Sequence, residues 1–290
     1  EMKRTLFALV FLLAILSFNV IVNAEESKDE LGEYKILKLE VNLNSDIMLE
    51  NYNDISSLEA RLSFYPKDGG FQKVTSREVR AVPDGVVSEE ENELVYTWNR
   101  ISSDKVSIEN KFILNSEVNL NKINGKIKFP LDDIGGHQDY LKSTSLIKSD
   151  DKRIYQLAKE IAEGKDDEYE VAITIADWIR ENVNYSLDTL TEKATKDAVW
   201  VLDNKYGVCD ELTVLYISMM RSLGIPTKFV SGSSYSNVID GFGNHAWAEV
   251  YFPGYGWVPF DVTYGQLGWV DSGHVKMDES FDASLHAGTC

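Results

Sequence analysis

The run Lys205-Tyr206-Gly207-Val208-Cys209-Asp210-Glu211-Leu212, followed thirty-odd residues later by His245-Ala246-Trp247-Ala248-Glu249-Val250-Tyr251, decides the fold. After Cys209 the apolar residues Leu212, Leu215, Tyr216, Met219 and Leu223 recur at helical spacing, so a helix opens close to the cysteine. Gly224 suits a left-handed cap and Pro226 forbids continuation, which closes the helix there. From His245 the period changes to two. His245, Trp247, Glu249 and Tyr251 share one face of a strand, and Ala246, Ala248 and Val250 share the other, small enough to pack on a helix. The turn Pro253-Gly254-Tyr255-Gly256 then returns the chain as a partner strand, Trp257 to Tyr264, which carries Asp261 between Phe260 and Val262. Lys228-Phe229-Val230 reads as a buried strand, and Ser231 to Gly243, rich in Ser, Gly and Asn, as a mobile connection.

Upstream of this stretch the helical period persists to about residue 150. Thr195 to Asn204 forms a short helix with Ala198, Val199 and Leu202 apolar. Before it, Val171, Ile175, Trp178, Ile179 and Val183 make one helical stripe. Ser149-Asp150-Asp151 caps a helix bearing Ile154, Leu157, Ala158 and Ile161, which Gly164 ends. Between residues 34 and 148 the period is two instead. Leu37, Leu39, Val41 and Leu43 alternate with polar neighbours, as do Leu58 to Phe64, Leu94-Tyr96-Trp98, Val106-Ile108, Phe112-Leu114 and Ile127-Phe129. Turn signals at Pro66 to Gly70, Pro83-Asp84-Gly85 and Asn124-Gly125 separate them, the pattern of an antiparallel β-sandwich. His137, after Gly135-Gly136, reads as a solvated loop histidine.

The fold class is thus α+β: an N-terminal antiparallel β-sandwich over 34–148, then helices packed on an antiparallel sheet over 149–275. Residues 1–24 combine Lys3 and Arg4, an apolar run from Leu6 to Val22 and the small residue Ala24, the pattern of a signal peptide or, uncleaved, an N-terminal anchor. Residues 25–33 are a charged leader and 276–290 an acidic tail. Localisation is expected outside the cytoplasm. The run 6–22, or a segment beyond Cys290, would serve for membrane association; the oligomeric state is not legible.

Among 290 residues, 43% are apolar and the formal charge is −18, enough for a sizeable core and wrong for a phosphate backbone, so no nucleic-acid partner is expected. Two cysteines, Cys209 and Cys290, give no disulfide framework. Cys209, His245 and His274 lack the paired spacing of a zinc site, and no EF-hand loop is present, so neither cofactor nor metal is called for. Asp271, Asp278, Glu279 and Asp282 read as solvated surface rather than a calcium site.

Chemistry concentrates on three residues. A thiol at a helix N-terminus meets unpaired backbone N–H groups and the positive end of the dipole, which favour thiolate at Cys209. Its own N–H would face a developing oxyanion, and Gly207 would admit substrate close to the backbone. Asp210 and Glu211 beside it suggest an accessible edge, and their charge calls for a cationic partner. His245 is that partner. Asp261, costly among apolar neighbours unless paired, would orient the imidazole through Nδ1–H. A buried structural cysteine is the competing reading.

These motifs, namely Gly207-Val208-Cys209, Leu223-Gly224-Ile225-Pro226, His245 to Val250 and Gly256-Trp257-Val258-Pro259-Phe260-Asp261, resemble the transglutaminase-like superfamily of papain-like cysteine enzymes over about 150–270. The resemblance implies Cys209 as nucleophile, His245 as general base and acid, Asp261 as orienter, and an acyl-thioester formed from an amide of a protein or peptide substrate. It implies a helix bundle carrying the cysteine, packed on an antiparallel sheet carrying the other two. It also implies a second oxyanion donor upstream, for which Trp200 and Asn184 are candidates. Peptide-bond hydrolysis ranks above glutamine cross-linking, because transfer to an amine needs extra exclusion of water. The aromatic residues Trp247, Tyr251, Tyr255, Trp257 and Tyr264 read mostly as hairpin packing. The alternative function is a non-catalytic binding module on the same scaffold.

Overall fold

The computed structural model describes residues 17–28, 34–118, 123–186, 195–238 and 240–283. The chain divides into two compact units, Glu1–Glu117 and Val118–Cys290. In the first, β1 (Ser17–Lys28), β2 (Tyr34–Met48), β3 (Leu58–Leu62), β4 (Gln72–Val82), β5 (Val86–Glu90), β6 (Glu93–Trp98) and β7 (Lys105–Glu117) form two antiparallel sheets. One has the order β1-β2-β7-β4 and the other β3-β6-β5. The alternation of Leu39, Val41 and Leu43 turns these residues inward on β2, and Phe112 and Leu114 do the same on β7. Across the two sheets the buried Tyr96 hydroxyl donates to Asn110 Oδ1 at 2.6 Å, and Tyr65, in the segment between β3 and β4, stacks on Phe112 with ring centroids 5.7 Å apart.

Three features differ from the sequence expectation. The two runs 106–108 and 112–114 belong to one strand, β7. Strand β4 has no alternating signature to find, since Lys73, Arg77, Glu78 and Arg80 leave it largely exposed. Ser17–Lys28 pairs with β2 from Ser17 opposite Asn44 to Lys28 opposite Tyr34, so the end of the apolar run read as an export signal joins the first sheet. No described helix is long and apolar enough to cross a membrane.

The second unit contains α1 (Lys152–Ile161), α2 (Glu168–Asn182), α3 (Ala198–Asn204) and α4 (Cys209–Ser222). Its strands are β8 (Asn184–Tyr185), β9 (Tyr206–Gly207), β10 (Thr227–Ser236), β11 (Gly241–Phe252), β12 (Gly256–Asp261), β13 (Gln266–Leu267) and β14 (His274–Ser280). The larger sheet is antiparallel in the order β13-β12-β11-β10-β14, and β8 pairs with β9 in parallel. Helix starts follow the expected chemistry: Asp151 caps α1 through the Arg153 and Ile154 N–H groups, Asp167 caps α2 and Asp197 caps α3. Gly224, at φ 82°, ends α4 as anticipated.

Helix α4 is buried on every side from Cys209 to Arg221, not only along one apolar stripe. The Ala246, Ala248 and Val250 face of β11 joins the same core. Residues grouped by period with the first unit bond to the second: Ile127 O accepts from Glu168 N at 2.8 Å, and Lys148 N donates to Ser218 Oγ of α4 at 2.9 Å. Arg221, in the last turn of α4, ties Lys142, Thr227 and Phe281 together through their carbonyls at 2.7–2.8 Å.

The long connection expected over 231–243 is instead mostly strand, because β10 runs to Ser236 and β11 begins at Gly241. Gly232 makes this possible: a Cβ there would lie 2.0 Å from Val275 O of β14. Residues 276–280, assigned to an acidic tail, belong to β14, which pairs with β10 from Phe229 opposite Ser280 to Ser234 opposite His274. Glu279 on this strand is engaged in ion pairs. Glu279 meets Lys228 at 2.6 Å and also Lys276, while Glu249 of β11 meets Lys228 at 3.0 Å and Lys276 at 2.8 Å.

Candidate active site

Cys209 is the first residue of α4 and is 2% exposed. Its acidic neighbours do not mark an accessible edge. Asp210 and Glu211 are buried, and each is employed within the fold. Glu211 Oε2 accepts the Val208 N–H at 2.9 Å and Oε1 the Lys196 N–H at 3.0 Å, while Asp210 Oδ2 faces Thr195 Oγ1 at 3.3 Å. A carboxylate at the third helical position reaching back to the N-cap N–H fixes the first turn, and with it the cysteine. Gly207 serves that arrangement: a Cβ there would sit 2.5 Å from Glu211 Cβ. Cys209 is disulfide-bonded, contrary to the expectation of an unbridged thiol. The chain has one other cysteine, Cys290, which lies outside the described residues.

His245 lies on β11 opposite Gly232 of β10, and its Nε2 is 2.7 Å from Asp261 Oδ2 at the end of β12. An ionised carboxylate only accepts, so Nε2 carries the hydrogen and Nδ1 is left as the basic ring atom. The sequence leads one to expect Nδ1 on the aspartate; the structure turns the ring the other way. Asp261 is fully buried and accepts four donors. Oδ1 takes the Thr263 and Tyr264 N–H groups at 2.8 and 2.9 Å, and Oδ2 faces two imidazoles, His245 and His274 at 3.1 Å. Burial pushes the Asp261 carboxyl up, but the two imidazoles outweigh it and hold the group far below the usual carboxylate range.

His274 was not singled out as part of this site from sequence. It opens β14, which flanks β10 on the side away from β11, so a pairing across the sheet brings residues 245 and 274 to one carboxylate. His274 Nδ1 contacts Asp271 Oδ1 at 2.9 Å, and Asp271 is held in turn by Gln266 Nε2 at 2.6 Å and the Gly273 N–H. Burial favours neutral His274, but Asp261 and Asp271 prevail and raise its pKa from 6.5 to about 9. His245, Asp261 and His274 place ligand-type atoms within 4.8 Å of one another. The two Nε2 atoms already lie at hydrogen-bond distance from a single carboxylate oxygen, so the cluster is satisfied by its own protons and does not fit a metal as it stands.

One hydrogen bond ties the first turns of α4 to the strand that carries His245. Thr213, one helical turn beyond Cys209, donates to Ala246 O at 3.3 Å, beside His245. Tyr185 of β8 lies opposite Gly207, and its phenol is pushed up first by burial and then by Tyr264, Asp210, Glu211 and Asp261. The Tyr264 ring lies nearly parallel to His245 with centroids 4.5 Å apart, and Trp247 also stacks with His245 at 6.1 Å. Tyr251 and Trp257 form a separate cluster with His137 and Tyr140, so His137 is packed against rings and is not a solvated loop residue. Of the oxyanion candidates, Asn184 pairs with Tyr206 across β8 and β9, and Trp200 packs edge-on against Tyr206 at 5.0 Å.

A helix bearing the cysteine packed on an antiparallel sheet bearing the histidine and aspartate is matched by a family model: residues 155–262 fit that of the transglutaminase-like superfamily. A curated relative, the uncharacterized protein YebA of Bacillus subtilis (strain 168), is 28% identical over 130 residues, which cover 39% of this chain and 18% of that protein. The chain therefore spans less than a fifth of that relative's length. Among solved structures, one described as a "Putative Cysteine Protease" from Cytophaga hutchinsonii is 20% identical, with a TM-score of 0.62 over 85% of this chain and 82% of that one. Red sea bream transglutaminase is 12% identical, with a TM-score of 0.37 over 79% of this chain and 48% of its own. The first likeness is one of fold, and the second is too distant to add to it. The family likeness thus rests on the sequence match over residues 155–262, and the likeness of architecture on the first structure.

Proposed function

We propose that the protein is an exported transglutaminase-like cysteine enzyme acting on amide bonds of proteins or peptides. The observation that carries the reading is the buried His245–Asp261 pair, 2.7 Å apart, on a sheet packed against the helix that Cys209 opens. In the reduced protein the Cys209 thiol passes its proton to His245 Nδ1, and the thiolate attacks the amide carbon. The tetrahedral oxyanion forms beside the first turn of α4, where the positive end of the helix dipole favours negative charge. The imidazolium, steadied through Nε2–H by Asp261, protonates the leaving amine as the C–N bond breaks. Water, deprotonated by His245, then cleaves the thioester and releases Cys209.

Hydrolysis is preferred to transfer because, among the described residues, only Tyr264 and Trp247 stack on His245, whereas Tyr251 and Trp257 are used elsewhere. A disulfide sulfur is no nucleophile, so the active state requires reduction by a dithiol. Export rests on the pattern of residues 1–24. The alternative, a non-catalytic binding module, would suit a permanently bridged and buried Cys209.

Mass spectrometry of a peptide library, incubated with dithiol-reduced protein with and without a primary amine, decides between these. New peptide termini support hydrolysis, and deamidated or amine-adducted glutamine supports a glutamine-directed enzyme. No product with the native chain, equal to that with Cys209→Ala, leaves the binding module.

A further inference from the structure

The cluster contains a cation that the triad does not require. His274 is fully buried, and its two ring nitrogens face two different carboxylates, Asp261 at 3.1 Å and Asp271 at 2.9 Å. Ionised carboxylates cannot donate, so each nitrogen of His274 must carry a hydrogen. An imidazole protonated on both nitrogens is an imidazolium. Its second partner is anchored independently: Asp271 accepts from Gln266 Nε2 and from the Gly273 N–H, and the Asp271 N–H returns a bond to Gln266 Oε1 at 2.9 Å. A chain of contacts therefore runs from Gln266 through Asp271, His274 and Asp261 to His245.

We propose that His274 is a positioning residue for the His245–Asp261 pair, holding the Asp261 carboxylate in place and sharing its negative charge with His245. This inference rests on the assignment of His245 as the base. The positioning follows from geometry. Oδ1 of Asp261 is pinned by two backbone N–H groups, which fixes the carboxylate plane, and His274 occupies the same Oδ2 that directs His245.

The charge sharing follows from a count of the groups packed there. Asp261 lies at the end of β12, Asp271 in the segment before β14, His245 on β11 and the Tyr264 phenol after β12; the rings of His245, Trp247 and Tyr264 lie 5.7, 5.3 and 5.8 Å from that of His274. Lys276, further along β14, is matched by Glu249 and Glu279. With His274 protonated, the two carboxylates present one net negative charge to His245; without it they present two. A site with two would hold the His245 proton too tightly to release it to a leaving amine. His274 thus sets how basic His245 is, while Asp261 sets where it points.

Ring-nitrogen NMR of the histidine-labelled full chain, kept reduced with a dithiol, tests this without a substrate. In the native protein at pH 7, His274 is expected to show hydrogens on both ring nitrogens; a neutral tautomer overturns the proposal and needs no variant to observe. His274→Gln keeps a side-chain N–H for Asp261 but removes the charge. In this variant the His245 titration midpoint is expected to rise by about one unit, and the alkaline limb of Cys209 alkylation by iodoacetamide to move up with it. A folded His274→Gln protein with both midpoints unmoved overturns the proposal, since a purely structural residue would alter stability and leave the titration alone. If Cys209 alkylation ignores His245→Ala, the assignment of His245 as base fails instead, and the NMR midpoints still judge His274 separately.

Discussion

The two units bury different kinds of polar group. In the first, the buried polar side chains are Ser45, Gln72, Asn110 and Ser116, all neutral. In the second, Glu168, Asp210, Glu211, Arg221, Lys228, His245, Glu249, Asp261 and His274 are all buried and all titratable. Burying a charge is expensive unless it is paired. A sheet of alternating side chains needs none, and the first unit contains none among its described core residues. The second unit carries its buried charges around α4 and along one face of the sheet, where most are matched by carboxylates, ammonium groups or backbone N–H donors. Concentration of perturbed titratable groups in one region marks where chemistry is to be sought.

The sharpest test of that contrast is to remove the nucleophile. Cys209→Ser should reduce amide cleavage by roughly a thousandfold or more, with the melting temperature in reducing buffer little changed. A comparable loss from a first-unit substitution that leaves the fold intact would erase the distinction. Next, omission of the dithiol should silence the native protein, and its addition should restore activity together with one alkylatable thiol at residue 209. Arg221→Met should follow in size. It strands the carbonyls of Lys142, Thr227 and Phe281, and chemical denaturation should show a loss of about 3 kcal/mol.

Glu168 provides the exception that sharpens the comparison. It is fully buried, and neither carboxylate oxygen has a hydrogen-bond partner among the described residues; burial, with Asp167 nearby, raises its pKa to about 8. A carboxyl whose pKa is raised by folding contributes stability below its unfolded pKa, lost as pH rises through the folded one. Glu168→Gln should therefore match the native protein near pH 4 and exceed it by about 1–3 kcal/mol near pH 9. Thermal melts across that range would show the difference opening between pH 4.5 and 8. The smallest effect belongs to the neutral core: Tyr96→Phe breaks the bond to Asn110 and should cost about 1 kcal/mol in denaturant unfolding, without altering amide cleavage.

Local patterns were legible in the sequence, and tertiary ones were not. The period of Leu212 to Leu223, Gly224 and Pro226 locates α4, and the alternation from His245 sorts β11 into a core face and a polar face. These signals lie within one element. What escaped depends on which elements meet. β14 lies beside β10 although residues 237–273 intervene, so neither the shared carboxylate of His245 and His274 nor the ion pairs of Glu279 can be read from spacing. Asp210 and Glu211 look like surface residues because charge normally means solvent. Their burial follows from partners that only the folded chain presents: the Val208 and Lys196 N–H groups for Glu211 and the Thr195 hydroxyl for Asp210. The exposed strand β4 gave no period because neither of its faces is uniformly apolar.

The central claim is that the sulfur at residue 209 is activated by the ring at residue 245. The most direct measurement is the rate of iodoacetamide alkylation of Cys209 against pH, in fully reduced native protein and in His245→Ala. The account predicts fast labelling on a plateau reaching below pH 7 in the native protein, and in the variant a slow reaction that rises only near the pKa of an ordinary thiol, about 8.5. Identical profiles for the two proteins would contradict it.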